Sequence, residues 1–184
     1  MLTYKHPKAK PCEVCERLFV PDRMGQVVCR PACAMKKVRQ AKVEERAKVR
    51  SRKEAIKTIP DLIKEAQREF NGYIRARDAA QPCICCGRPL GDGPVGGAYD
   101  AGHYRSTGSA GHLRFNEDNC HAQRKDCNRY GAGRAVDYRI GLIARIGAAR
   151  VGALEASNQP HKWTREELIA IRDTYKKKLK ELKA

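Results

Sequence analysis

Tyr99-Asp100-Ala101-Gly102-His103-Tyr104 and Cys127-Asn128-Arg129-Tyr130-Gly131 bracket the stretch whose reading decides the fold. Asp100 and His103 stand near the end of a short segment that follows a Gly-rich turn, residues 91–97. Leu113-Arg114-Phe115 alternates apolar and polar, the pattern of a second strand of a hairpin. Asn119 comes next, then the Cys127-Asn128 pair, and after Gly133 the pattern turns helical. The expected unit is strand, loop, strand, helix.

These residue types suit one chemistry, the hydrolysis of a phosphodiester. A neutral imidazole such as His103 activates water near neutral pH, because its unperturbed pKa is about 6.5. The Asp100 carboxylate and the Asn128 amide carbonyl are hard oxygen ligands for Mg²⁺ or Mn²⁺. Asn119 carries both donors and an acceptor, so it can pin a loop backbone and orient His103.

The charge balance points the same way. Among 184 residues, 38 Lys and Arg face 21 Asp and Glu, a formal net charge of +17. Such an excess fits a polyanionic partner. Nucleic acid is favoured over a membrane, since there is no lipidation signal, no membrane-type amphipathic helix and no apolar run approaching the ~18 residues of a span. The Met1-Leu2-Thr3-Tyr4-Lys5 start is not a signal peptide. Nine cysteines without an export signal read as metal ligands, not disulfides.

Cys12-x2-Cys15 and Cys29-x3-Cys33 make two close thiol pairs, enough for a closed tetrahedral zinc site. Four ligands leave no open position, so this site is structural. From residue 34 to 57 the chain holds no Gly or Pro and carries ten Lys and Arg against three Glu. It reads as a solvated helix that tracks phosphates through Lys36, Lys37, Arg39, Lys42, Arg46, Arg50, Arg52 and Lys53; the alternative is a merely soluble linker helix. Residues 59–80 read as an amphipathic helix with Pro60 in its first turn and Leu62, Ile63, Ala66, Phe70 and Ile74 on its core face. Residues 133–184 read as helical, with Ile140, Ile143 and Ile146 on one apolar face and breaks near Gly147 and Gly152. Thr164 and Glu167 form a capping box for the last helix, which is expected to keep Leu168, Ile171, Tyr175, Leu179 and Leu182 on a core stripe and ends in lysines. His112 reads as a phosphate contact or as inert, and His121 as a surface residue.

Asp100-Ala-Gly-His103, Leu113-Arg-Phe115, Asn119 and Cys127-Asn128 resemble the HNH (ββα-metal) nuclease signature. The chain as a whole, from its Cys-rich start through Trp163-Thr164 to the Lys-rich tail, resembles the lambda-type phage NinG/Rap recombination endonuclease family. The Cys83-x2-Cys86 pair followed by Cys-Asn is also similar to the endonuclease VII arrangement. The resemblance implies an α+β fold: a small ββα-metal core with surrounding helices, preceded by an N-terminal zinc module and a long basic helix. The boundaries would be 1–33 for the zinc module, 34–58 for the basic arm and 59–184 for the nuclease domain with its C-terminal helices.

The resemblance further implies a metal-dependent endonuclease that cuts branched DNA (Holliday junctions and D-loops) in phage recombination, in the cytoplasm of the bacterial host. His103 would be the base, Asn119 its orienting residue, and Asp100 with Asn128 the metal ligands. Gly102 stands where many HNH enzymes carry the metal carboxylate, and a bulge at Ala101-Gly102 would restore the geometry. Arg105, Arg124 and Arg129 would contact DNA, and symmetric nicking would call for a homodimer. A second zinc would sit on Cys83, Cys86 and Cys127. The family's fourth Cys is Arg124 here, so Cys120 is the expected substitute, leaving Cys85 spare. The competing readings are a non-catalytic zinc DNA-binding protein, a general HNH nicking enzyme and an RNA-binding module.

Overall fold

The computed structural model describes residues 8–91 and 97–184. Most of the expected Gly-rich turn, residues 92–96, lies outside the described residues. The chain is mixed α and β, with two small antiparallel sheets and five α-helices among the described residues. It divides into two compact units, residues 1–57 and 58–184.

The first unit begins with a minimal ribbon, β1 (Lys10–Pro11) paired with β2 (Leu18–Phe19). Helix α1 (Pro31–Ala55) follows, with Pro31 in its first turn, where a missing N–H costs nothing. Its 25 residues extend about 37 Å. Cys33 is its buried residue, and the rest of the helix offers no apolar stripe to a core. Cys33 and the basic arm therefore share one helix.

The second unit is built on α2 (Ile59–Arg77). Thr58 and Asp61 close a reciprocal capping box at its start. Leu62, Ala66, Phe70 and Ile74 are buried at helical spacing, as the sequence pattern requires. They pack against Leu168 and Tyr175 of α5 (Arg165–Glu181), which starts at the expected Thr164–Glu167 box. Phe70 is the hub: its ring meets Tyr175 edge-on at 4.8 Å and Phe115 at 5.8 Å between centroids.

The hairpin lies on this layer. Strand β3 (Tyr99–His103) pairs antiparallel with β4 (Cys120–Arg124), from Tyr99 opposite Arg124 to His103 opposite Cys120. The register is one-to-one, so there is no bulge at Ala101-Gly102. The second strand is also not Leu113-Arg114-Phe115. That segment enters through a 3-10 turn, Gly111–Leu113, and its alternation reflects Leu113 and Phe115 plugging two different cores.

After β4 a wide π-type turn, Asp126–Tyr130, leads to α3 (Ala135–Ile146) and α4 (Ala148–Ala156). The break between these helices falls at Gly147, whose φ of +87° suits glycine. Gly152 lies inside α4 and breaks nothing. The buried face of α3 is Tyr138 and Leu142, packed on Ile84, Val151 and Leu154. Ile140, expected on that face, is 64% exposed. Gly141 explains the offset: a Cβ there would sit 1.8 Å from the Ile84 carbonyl oxygen, so α3 approaches the chain through its glycine.

The two helical glycines should respond oppositely to alanine. Gly141→Ala should destabilise the chain by about 1–3 kcal/mol, because the obstructing oxygen is backbone and cannot rotate away. Gly152→Ala, with nothing within 4 Å of the new methyl, should stabilise it by about 0.5–1 kcal/mol. Denaturant melts of the two variants check both signs.

Candidate metal clusters and cleft

The N-terminal cluster forms as expected. The sulfurs of Cys12, Cys15, Cys29 and Cys33 all lie within 4.8 Å of one another. Cys15 and Cys29 are 3.5 Å apart and Cys29 and Cys33 3.8 Å, close to the ~3.8 Å edge of a tetrahedron with zinc–sulfur bonds of about 2.3 Å. Backbone turns aim the thiols inward: the Cys29 N–H points at Cys12 Sγ at 3.4 Å.

The second cluster is Cys83, Cys85, Cys86 and Cys127, again within 4.8 Å. Cys85 replaces the expected Cys120. The turn through Gly87, at φ +68°, folds Cys83–Cys86 back so that three of its thiols converge. Cys120 instead faces the α2 core opposite His103, where full burial pushes its thiol pKa well up and keeps it protonated. Arg124, at the position of the missing family cysteine, donates to Asp126 and to the Pro89 carbonyl, bracing the knuckle. Cys86 responds to its surroundings: burial raises its thiol pKa, but hydrogen bonds from Arg88 outweigh this and lower it to about 7.

The candidate cleft, about 360 Å³, opens between the hairpin and the loop leading to α3. His103 and Asn128 both line it. The His103 Nε2 lies 2.9 Å from the Arg114 carbonyl oxygen. A carbonyl only accepts, so Nε2 carries the proton and Nδ1 presents its lone pair. The nearest partner of Nδ1 is the weak thiol donor of Cys120, at 3.7 Å. Burial lowers the pKa of His103 below the ordinary imidazole value, which favours the neutral base.

Asn119 is fully buried and does not touch the imidazole. Its Oδ1 accepts from the Arg105 N–H at 2.8 Å, and its Nδ2 donates to the Arg105 and Leu113 carbonyls. It closes the loop that presents the Arg114 carbonyl to His103, so its influence on the ring passes through the backbone.

Asp100 lies three residues before His103 on a regular strand, so the two side chains point to opposite faces. Asp100 accepts from Asn128 Nδ2 at 3.2 Å and from the fork of Arg129 at 2.8 and 3.1 Å. Burial pushes its carboxyl pKa up, but these two donors outweigh it and hold the group ionised. Asn128 thus bridges Asp100 and the cleft. Both Asp100 oxygens are thus taken up by Arg129, and Asn128 turns its amide nitrogen toward Asp100.

Other candidates have structural duties. The Arg105 guanidinium is taken up by the carbonyls of Leu154 and Ser157 and by Asn158 at the end of α4. His112 Nε2 bonds the Ser157 carbonyl. His121 is buried, not on the surface: Nδ1 accepts from Arg77 and Nε2 donates to the Asp118 carbonyl. Burial raises the Asp78 carboxyl pKa, but the His121 ring beside it, the Arg77 fork and the Ala122 N–H outweigh this and hold it well below the carboxylate range. A larger cleft, about 1200 Å³, opens beside this network, away from His103 and Asn128. Its Arg77 and Arg150 pair with Asp78 and Asp118, and Arg145 donates to the Pro82 carbonyl.

Two tetracysteine clusters that could each hold a zinc ion, on an α+β chain with a cleft faced by an imidazole and an amide, define the class. The chain belongs to the NinG family: the model of the bacteriophage lambda NinG protein matches residues 4–184. It is 38% identical to protein ninG of Salmonella phage P22 over 190 residues, covering 93% of this chain and 91% of that one. It is 38% identical to protein ninG of Escherichia phage lambda over 188 residues, covering 92% and 90%. Protein ninG of Escherichia phage 933W is 36% identical over 196 residues. No solved structure matches the chain. Among the described residues no helix is long and apolar enough to cross a membrane.

The cluster assignment separates two cysteine variants. Purified chain should carry two zinc ions, Cys85→Ser should carry fewer, and Cys120→Ser should keep both. Elemental analysis of zinc per chain decides; equal zinc in wild type and Cys85→Ser would remove Cys85 from the site.

Proposed function

We propose that this chain is a divalent-metal-dependent DNA endonuclease of the HNH type that acts on branched DNA. One observation carries the reading: His103, with Nε2 tied to a backbone carbonyl, shares a cleft with Asn128 at the junction of hairpin and helical turn. The same junction is where the sequence resemblance locates the nuclease centre. The +17 charge and the exposed α1 fit a phosphate-rich substrate.

In this reading the Cys120 thiol yields Nδ1 of His103 to a water, Nδ1 takes the water's proton as its oxygen attacks phosphorus, and the bond from phosphorus to the leaving strand's oxygen breaks. The Arg114 carbonyl, accepting from Nε2–H, holds the ring in place and stabilises the imidazolium that forms. Asp100 and Asn128 would hold a Mg²⁺ or Mn²⁺ ion, which supplies positive charge to the phosphate and the leaving oxygen. Arg129 then releases Asp100 and is free for a phosphate. The zinc clusters hold structure and take no part in the bond-breaking step. Branch preference rests on the family resemblance, and paired nicks would require two copies of the chain.

Binding rests on many cations and water activation on one ring, so the two should separate. His103→Ala should reduce single-turnover cleavage about 10²–10⁴-fold while junction affinity stays within a few-fold. Asn128→Ala should raise the Mg²⁺ or Mn²⁺ requirement and be partly rescued by excess metal. A His103→Ala protein that cleaves at the wild-type rate would refute the assignment.

The base must be neutral to act, and its pKa is lowered. The rate should therefore rise with pH through a midpoint below about 6.5 and then level off. A limb centred well above that value would point to a different group.

Replacing Arg46, Arg50 and Lys53 of α1 by Gln should weaken binding and flatten its salt dependence by up to about three phosphate contacts. Titrations at several salt concentrations measure the slope; an unchanged slope would take α1 off the DNA.

A further inference from the structure

Gln123, on β4, is 1% exposed and touches three parts of the second unit. Its Nε2 donates to the Gly133 carbonyl at 2.8 Å and lies 3.4 Å from Cys85 Sγ. An amide nitrogen has two hydrogens, and these two acceptors use both. Its Oε1 is buried and has no donor among the described residues. That oxygen sits 2.2 Å from where a Cβ on Gly102 would be, so a side chain there would displace the Gln123 amide. Gly133 in turn donates to the Cys127 carbonyl, closing the turn that carries Asn128.

We propose that Gln123 is a positioning residue that ties the second cysteine cluster to the cleft, so that metal loading of the cluster sets the placement of His103 and Asn128. The link to catalysis rests on the nuclease reading above; the tether itself does not.

The physical basis is the change at sulfur. A metal-bound cysteine is a thiolate, and a thiolate accepts an N–H more strongly than a thiol does. Loading the cluster therefore fixes one hydrogen of Nε2 on Cys85. The second hydrogen stays on Gly133 and holds the Asn128 turn. The amide oxygen is then forced against Gly102, and its unpaired burial is the cost of keeping both hydrogens directed. Hydrogen bonds to metal ligands from outside the coordination sphere commonly matter about 10–100-fold to affinity or activity.

The full chain reconstituted with the NMR-active cadmium isotope tests the tether directly. A side-chain amide proton should show a through-hydrogen-bond coupling to cadmium, and Gln123→Met should remove that signal. If no glutamine side-chain amide couples to cadmium in the wild type, the tether is refuted, whether or not any variant folds and whether or not the chain cleaves DNA. In the cleavage assay Gln123→Met, matched in length but apolar, should keep two metals per chain and wild-type junction affinity. Its half-saturating Mn²⁺ should rise about tenfold. Wild-type Mn²⁺ dependence in a fully loaded Gln123→Met protein would overturn the coupling to the cleft. Inactivity of the wild type would sink the nuclease reading and leave the cadmium signal to decide the tether.

Discussion

The second unit depends on one constraint: each polar side chain buried on β4 and just before it must find a hydrogen-bond partner on another element. Asn119, His121 and Gln123 have little or no exposure, and burying such groups without partners is costly. Asn119 finds the loop after β3, His121 finds Arg77 beside the C-terminal end of α2, and Gln123 finds the cysteine knuckle and the Gly133 turn. The strand and the residue before it thus draw together the loop, the helix, the cysteine cluster and the turn that carries Asn128. Apolar residues at the same positions would pack, but they would not specify these partners.

This arrangement explains how so small a hairpin can hold a defined cleft. A two-stranded sheet is marginal by itself. Here Ala101 and Cys120 rest on the Phe70 core, Tyr99 and Ala122 pack with the cysteine knuckle, and Tyr138 of α3 bonds both strands. Tyr138 shows the depth of the support: its hydroxyl donates to the Gly102 carbonyl and accepts from the His121 N–H. Both strands are locked beside His103 from below and above. The imidazole then inherits a fixed orientation from backbone atoms, not from mobile side chains.

The first unit follows a different logic. It has little apolar surface to bury, and its ribbon is only two residues per strand. Four thiols gathered around one point can replace a core when a metal holds them, which is why such modules fold on metal binding. Helix α1 then extends from the cluster with its charges in solvent, a form suited to contacts with a phosphate backbone.

Local rules were enough for much of this. Helical spacing of Leu62, Ala66, Phe70 and Ile74, the Thr164–Glu167 box, the first cysteine cluster and the family resemblance are all legible in the sequence, because each depends on residues close along the chain or on a motif. Pairing and convergence are not local. The second strand is Cys120–Arg124, although Leu113-Arg114-Phe115 has the cleaner alternation, because that alternation serves two separate cores. Cys85 joins the second cluster and Cys120 does not, because strand direction turns Cys120 toward the helices while a tight turn brings Cys85 to the metal. His121 looks like a surface residue until Arg77 arrives from α2 to bond it. Sequence alone determined which residues could carry the chemistry. Only the tertiary structure decided which of them meet, since direction along a strand and closure of a turn are set by what packs on the other side.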